Sequence, residues 1–354
     1  MPPRTHLLAL FCDLFRKAMI SVCLGGAAGC SALVSPPGKQ VAHPRLEHSH
    51  FVAADRAVLP VRSWVPAHGT KTVIVALHGF NDYSNFFAAP GRFLAAQGIV
   101  CYAYDQRGFG NAPGRGLWPG IEAYTRDLSD FTDEVRRRHP GLPVYILGES
   151  MGGAVAIVAM TGPNPPNADG VILSAPAVWA RDTMPWYQRL LLSAGVHTVP
   201  WLRLTGEGLG ILPSDNIEML RGLGRDPLVI KATRIDAVYG LANLMDAALE
   251  RAKELKPSTL LLYGERDQII PKEPVFKMLE KLPPEPQIRT AFYEHGYHML
   301  LRDLEAEKPW RDIAAWIDDR EAPLPSGADK RVPGPYQRTA TVATVPKQAA
   351  LRGG

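Results

Sequence analysis

The chain is short of cysteine, of long apolar runs and of net charge, and each shortage excludes something. Of four cysteines, Cys12, Cys23 and Cys30 fall in the first 30 residues, which leaves Cys101 alone in the body. A body with one cysteine has no internal disulfide. Cys101 lies in the apolar run Ile99-Val100-Cys101-Tyr102-Ala103-Tyr104, with nothing beside it to lower its pKa, so it reads as a small buried hydrophobe. The apolar run from Ala18 to Ala28 falls well short of a spanning helix. A net charge of +4 with 21% charged residues is too mild for a nucleic-acid partner. Neither a dinucleotide fingerprint, a P-loop lysine nor a metal-ligand spacing occurs, so no cofactor or metal is expected.

The net charge has a local origin. From Leu324 to Gly354, Lys330, Arg331, Arg338, Lys347 and Arg352 oppose only Asp329, so this stretch carries the whole +4. Being rich in Pro, Gly, Ala and Thr without apolar periodicity, residues 321–354 read as a disordered basic tail. At the other end, Arg16 and Lys17 precede the Ala18 to Ala28 run, which closes on Ala27-Ala28-Gly29-Cys30. Small residues before a cysteine resemble a bacterial lipobox, with Ala27 where leucine is usual. The reading is a lipoprotein signal peptide over 1–29, a lipidated Cys30, a flexible tether over 30–49 and a membrane-anchored protein of the cell envelope facing the periplasm.

With 46% hydrophobic positions, what remains suffices for one large domain over 50–320. Apolar stretches flanking Ala53-Ala54-Asp55-Arg56 predict an opening antiparallel hairpin between Phe51 and Trp64. Short β-branched or aromatic runs predict buried strands at Thr72 to Leu77, Ile99 to Tyr104, Val144 to Leu147, Val171 to Leu173, Thr259 to Tyr263 and Arg289 to Tyr293. Helical spacing falls between or after them at Asn85 to Ala96, Glu122 to His139, Ser150 to Met160, Lys272 to Leu282 and Pro309 to Asp318. The alternation predicts an α/β fold whose mostly parallel central sheet carries helices on both faces. It lapses over about 175–255, where no strand-like run appears and Trp179, Trp186 and Trp201 stand among leucines and prolines. This stretch reads as a helical cap insertion whose apolar residues line a substrate channel, with those three tryptophans as candidate substrate contacts.

The strongest chemical signal is Gly148-Glu149-Ser150-Met151-Gly152, set between a predicted strand and a predicted helix. That is the context a G-x-S-x-G nucleophile elbow requires. The turn strains its serine, so the residues two positions away must be small, and the helix N-terminus aims N–H groups at a developing oxyanion. A serine needs a base held in turn by a carboxylate. Among ten histidines, His295 and His298 follow the last strand, and His298 is preferred because Gly296 precedes it and Met299-Leu300-Leu301 pack behind it. For the acid, Asp267 sits on the loop leaving the strand Leu260 to Tyr263, with Glu265 as competitor. The order Ser150, Asp267, His298 is that of α/β-hydrolases. The N–H of Met151 supplies one oxyanion donor. The other comes from the loop after the first central strand, with Phe80 preferred over Asn81, His78 bracing that loop and Asp105 to Gly110 forming a structural turn.

His78-Gly79-Phe80 with Ser84, Asp105-Gln106-Arg107-Gly108-Phe109-Gly110, Gly148 to Gly153, Gly264 with Asp267, and Gly296-Tyr297-His298 together resemble the monoacylglycerol lipase and lysophospholipase group of α/β-hydrolases, the serine aminopeptidase S33 type. The resemblance spans about Phe51 to Asp318. It implies a cap that binds acyl chains and a small lipid ester, a monoacylglycerol or lysophospholipid, as substrate. Two rivals stand beside it. An aminopeptidase or amidase on the same triad needs an acidic pocket, for which Glu207, Asp215 and Glu218 are available. A non-catalytic, membrane-tethered binding protein is the other.

Overall fold

The computed structural model describes residues 31–206, 210–283 and 288–331. The proposed leader, Cys30, Glu207 and the tail beyond Arg331 lie outside the described residues. In chain order the elements are β1 (Arg45–Leu46), β2 (His50–Val52), β3 (Val58–Trp64), β4 (Thr72–Leu77), α1 (Ala88–Ala96), β5 (Ile99–Tyr104), α2 (Ile121–Arg138), β6 (Val144–Glu149), α3 (Met151–Met160) and β7 (Gly170–Ser174). There follow α4 (Trp186–Thr198), β8 (Arg203–Thr205), α5 (Ile217–Arg225), β9 (Ala232–Arg234), α6 (Ile235–Arg251), β10 (Thr259–Gly264), α7 (Lys272–Lys281), β11 (Ile288–Tyr293) and α8 (Glu307–Asp318).

Nine strands form one sheet in the order β1-β2-β3-β5-β4-β6-β7-β10-β11. The first three pair antiparallel, β3 meets β5 antiparallel, and every pairing from β5 to β11 is parallel. β4, β5, β6, β7 and β10 are buried at every position, which is why they read as unbroken apolar runs. Alternate residues divide between two cores. Val73, Val75 and Leu77 join α2, α3, α6 and α7 on one face, while Ile74 and Ala76 join α1 and α8 on the other. Each fully buried Val, Ile or Leu contributes about 1.5–3 kcal/mol, so these two layers hold the strand ends that carry the site.

Four expectations need correction. The insertion is not purely helical: β8 and β9 form a separate antiparallel pair, Arg203 opposite Arg234 through Thr205 opposite Ala232. The insertion also ends before residue 255, because α6 packs on α3 and buries Ala242, Leu244, Met245, Ala248 and Leu249 in the core. The stretch after Cys30 is no free tether. Ser35 N–H donates to the Trp118 carbonyl at 2.8 Å, Gly38 N–H to Asp55 Oδ2 at 2.9 Å and Val41 N–H to the Ala54 carbonyl at 2.8 Å. Finally, residues 321–331 are packed on the body rather than disordered, with Leu324 and Ala328 buried, Arg289 reaching the Ala322 carbonyl, and Arg331 paired with Glu265 and Glu294.

Candidate active site

Ser150 stands between β6 and α3 with φ 49° and ψ −113°, a left-handed φ that costs a non-glycine residue on the order of 1–3 kcal/mol. The surroundings hold it there. Its N–H donates to the Ser174 carbonyl at 2.9 Å and its carbonyl accepts from Ala177 N–H at 2.9 Å. A Cβ on Gly148 would lie 2.5 Å from the Gly152 carbonyl oxygen, and one on Gly152 would strike the Leu77 carbonyl of β4. Only glycine lets strand, turn and helix meet so closely.

The structure brings Ser150, His298 and Asp267 into one chain of hydrogen bonds, all three buried. His298 Nε2 is 2.9 Å from Ser150 Oγ, and its Nδ1 is 2.8 Å from Asp267 Oδ2. A carboxylate only accepts, so the proton belongs on Nδ1 and Nε2 is left to accept the serine proton. The other oxygen of Asp267 accepts from the N–H groups of Ile269 at 2.7 Å and Ile270 at 2.9 Å, which fixes the carboxylate plane. The acid loop and the histidine loop are laced by Arg266 N–H to the Gly296 carbonyl at 2.9 Å. Burial alone would pull the imidazole down. The charge and hydrogen bond of Asp267, with help from Glu149 and Asp303, reverse this and place the His298 pKa above the ordinary histidine value.

Around this chain the other residues take these places. Met151 is the first residue of α3, where an N–H has no acceptor within its own helix. Gly79 abuts Ser150, since a Cβ on it would lie 3.3 Å from Ser150 Cβ, and Phe80 follows it. Asn81 is turned into the cap, donating to Thr233 Oγ1 at 2.8 Å and accepting from Ile230 N–H at 2.9 Å. His78 lies under the loop, donating from Nδ1 to the Gly79 carbonyl at 2.8 Å and accepting at Nε2 from Gln106 N–H at 3.0 Å. His295 is exposed and bonds to Arg266, at 2.8 Å. Glu265 pairs with Arg331 and Lys272. Burial pushes the Cys101 thiol up, as its apolar strand implies.

The cap tryptophans are not gathered into an enclosed channel. Trp179 is half-buried against the core, but Trp186 is 68% and Trp201 56% exposed. The reason is that α4 buries only Val196, leaving Trp186, Tyr187, Leu190 and Leu191 outward.

Two features escaped sequence reasoning. One is a clamp from cap to histidine loop: Met299 N–H donates to the Pro213 carbonyl at 2.9 Å, and Asn216 Nδ2 to the Arg302 carbonyl at 3.0 Å. The other is Glu149, fully buried, with Oε1 3.8 Å from His298 Nε2. Its signal was a carboxylate at the end of an otherwise apolar strand, which the motif treats as a free position.

The profile of the family described as Serine aminopeptidase, S33 matches residues 68–305. The chain belongs to this family. As an S33 serine hydrolase it is similar to the human monoglyceride lipase, 28% identical over 286 residues that cover 79% of this chain and 93% of that relative. It is also similar to the monoacylglycerol lipase of Mycolicibacterium smegmatis, 26% identical over 296 residues covering 78% and 98% of the two chains. The crystal structure of Paleococcus ferrophilus monoacylglycerol lipase superposes with TM-score 0.61 at 24% identity, covering 73% of this chain and 98% of that one. That match establishes the α/β-hydrolase fold.

Proposed function

We propose that this chain hydrolyses carboxylic esters of single-chain lipids, monoacylglycerols or lysophospholipids, through an acyl-enzyme on Ser150. The observation that carries the reading is the buried sequence of bonds from Ser150 Oγ to His298 to Asp267 on a strained elbow. Ser150 Oγ attacks the ester carbonyl as its proton passes to His298 Nε2, and the oxyanion is received by the N–H groups of Phe80 and Met151. The imidazolium then gives that proton to the leaving alcohol. Water deacylates the serine with His298 again as base. The lipid substrate is supported by the names of the relatives and by the outward apolar residues of α4, which suit a substrate held in a lipid aggregate.

The aminopeptidase reading loses ground on the described carboxylates of the cap. Asp215 is committed to Leu304 N–H at 2.9 Å, and Glu218 stands exposed beside Arg221. We place the protein at the cell envelope by a lipid on Cys30, a residue outside the described ones. Loss of membrane association in Cys30→Ala tests that placement, and an unchanged membrane fraction refutes it.

The deciding experiment is hydrolysis of a monoacylglycerol, a lysophospholipid, a short p-nitrophenyl ester and an N-terminal amino-acid amide by the wild type and Ser150→Ala. Lipid-ester cleavage lost in the variant supports the reading. Equal rates in both, or turnover of the amide alone, refutes it.

A further inference from the structure

Glu149 has no place in the relay just described, yet it is built into it. Strand alternation puts it on the side of β6 shared by Tyr145 and Leu147, the face covered by α1 and α8 and opposite to α3. The carboxyl is packed against the oxyanion loop, because a Cβ on Gly79 would strike Glu149 Oε2 and lie 3.1 Å from its Cδ. Its ion-pair contact among the described residues is His298, Oε1 to Nε2 at 3.8 Å. That is too long for a hydrogen bond and short for a charge interaction without intervening water. A carboxyl with full burial and no Lys or Arg paired to it among the described residues is costly, and such a cost is retained where it does something.

We infer that Glu149 is a second carboxyl acting on the imidazole of His298, a positioning residue that sets the proton affinity of the base from the side opposite Asp267. The inference rests on the proposed role of His298 as base for Ser150. When Ser150 Oγ–H passes its proton to Nε2, the imidazolium lies between Asp267 at Nδ1 and Glu149 beyond Nε2, and no proton goes to Glu149 itself. The groups facing this pair come from every neighbouring loop: Asp267 after β10, Asp303 and Arg302 after β11, and Asp82 after β4, itself bonded to Arg302 at 3.1 Å. Burial pushes the Glu149 carboxyl up to about 7, against the attraction of His298, and at 3.8 Å the two groups titrate as a coupled pair. While Glu149 is ionised it favours the protonated, idle imidazole. The acid limb of hydrolysis therefore belongs to the pair and lies at higher pH than His298 with Asp267 alone would set.

The test compares pH profiles of kcat/KM for wild type, Glu149→Gln and Glu149→Asp on one soluble ester, with Ser150→Ala as reference. Removing the charge lowers the proton affinity of His298, so in Glu149→Gln the acid limb is expected to move down by about one unit. Glu149→Asp, which keeps a carboxyl, is expected to stay near the wild-type limb. The downfield Nδ1–H resonance of His298, followed by proton NMR against pH, reads the same shift without turnover. An acid limb and a resonance both unmoved in Glu149→Gln, with Ser150→Ala inert, overturn this inference and leave the acyl-enzyme reading standing. Hydrolysis persisting in Ser150→Ala overturns both.

Discussion

The Ser214 hydroxyl donates to Asp303 Oδ1 at 2.6 Å, and this bond ties the cap to the loop that carries His298. Asp303 Oδ2 accepts in turn from Tyr297 N–H at 2.7 Å, one residue before the histidine. A single carboxylate thus holds the imidazole's own backbone against the cap. Asp303→Ala frees both donors and lets the loop drift. Since a displacement of about 1 Å at a reacting group can cost a hundredfold, kcat is expected to fall by up to about a hundredfold with KM little changed. Steady-state kinetics on a soluble ester, beside a thermal melt to confirm folding, checks it.

Asp267→Asn should keep the geometry and lose the chemistry. The N–H groups of Ile269 and Ile270 select an oxygen at the position of Oδ1, so the asparagine NH2 must face His298 Nδ1. A donor there strips the proton from Nδ1 and puts it on Nε2, where it can no longer take one from Ser150. The loss in kcat is expected on the order of ten-thousandfold, the size known for such tautomer inversion in serine proteases, without loss of thermal stability. A melt and a kcat measurement together separate this from unfolding.

How much of this was legible in the sequence follows the physics of each element. Strands covered on both faces betray themselves as apolar runs, so the ends of β4, β5, β6, β7, β10 and β11, and the loops bearing Ser150, Asp267 and His298, could be placed. β8 could not. Its three residues, Arg203, Leu204 and Thr205, are all exposed and held by pairing with β9, which leaves no periodicity to read. The tether read over 30–49 and the tail read from 321 look free in sequence for a related reason: backbone bonds such as Ser35 to Trp118, and ion pairs such as Arg331 to Glu265, pin residues there without an apolar stripe. The sequence leaves α6 in the cap because nothing in it says that its apolar face meets α3 rather than the insertion before it. Glu149 is hidden in the sequence because a motif records which residues are required and is silent on the one between them.

The elbow glycines make a contrast with those of the cap. At Gly152 an added methyl meets the Leu77 carbonyl, backbone of a central strand that cannot yield as a side-chain tip can. Gly152→Ala is therefore expected to destabilise by more than about 3 kcal/mol or to prevent folding. Gly222, inside α5, has nothing within 4 Å of such a methyl and lacks a positive φ. There the helix gains from the lost backbone freedom, and Gly222→Ala is expected to stabilise by about 0.5–1 kcal/mol. Denaturant melts of both variants read opposite signs.

Glu149 also makes a prediction about stability that is independent of turnover. Its carboxyl has a value of about 7 in the folded chain against an ordinary 4.5. An acid whose proton affinity rises on folding binds more protons native than unfolded, so it weakens the fold as pH increases. The penalty is absent below pH 4.5, grows between 4.5 and 7, and is constant above. At about 1.4 kcal/mol per unit, the full penalty is about 3 kcal/mol. Glu149→Gln carries no such charge. Relative to wild type it should gain nothing at pH 4 and about 3 kcal/mol at pH 8, and taking the difference between the two proteins at each pH cancels the titrating groups that are not coupled to Glu149. Urea melts of the pair across pH 4 to 8 measure that difference, and a flat line would mean that the Glu149 carboxyl is no harder to ionise in the fold than in water.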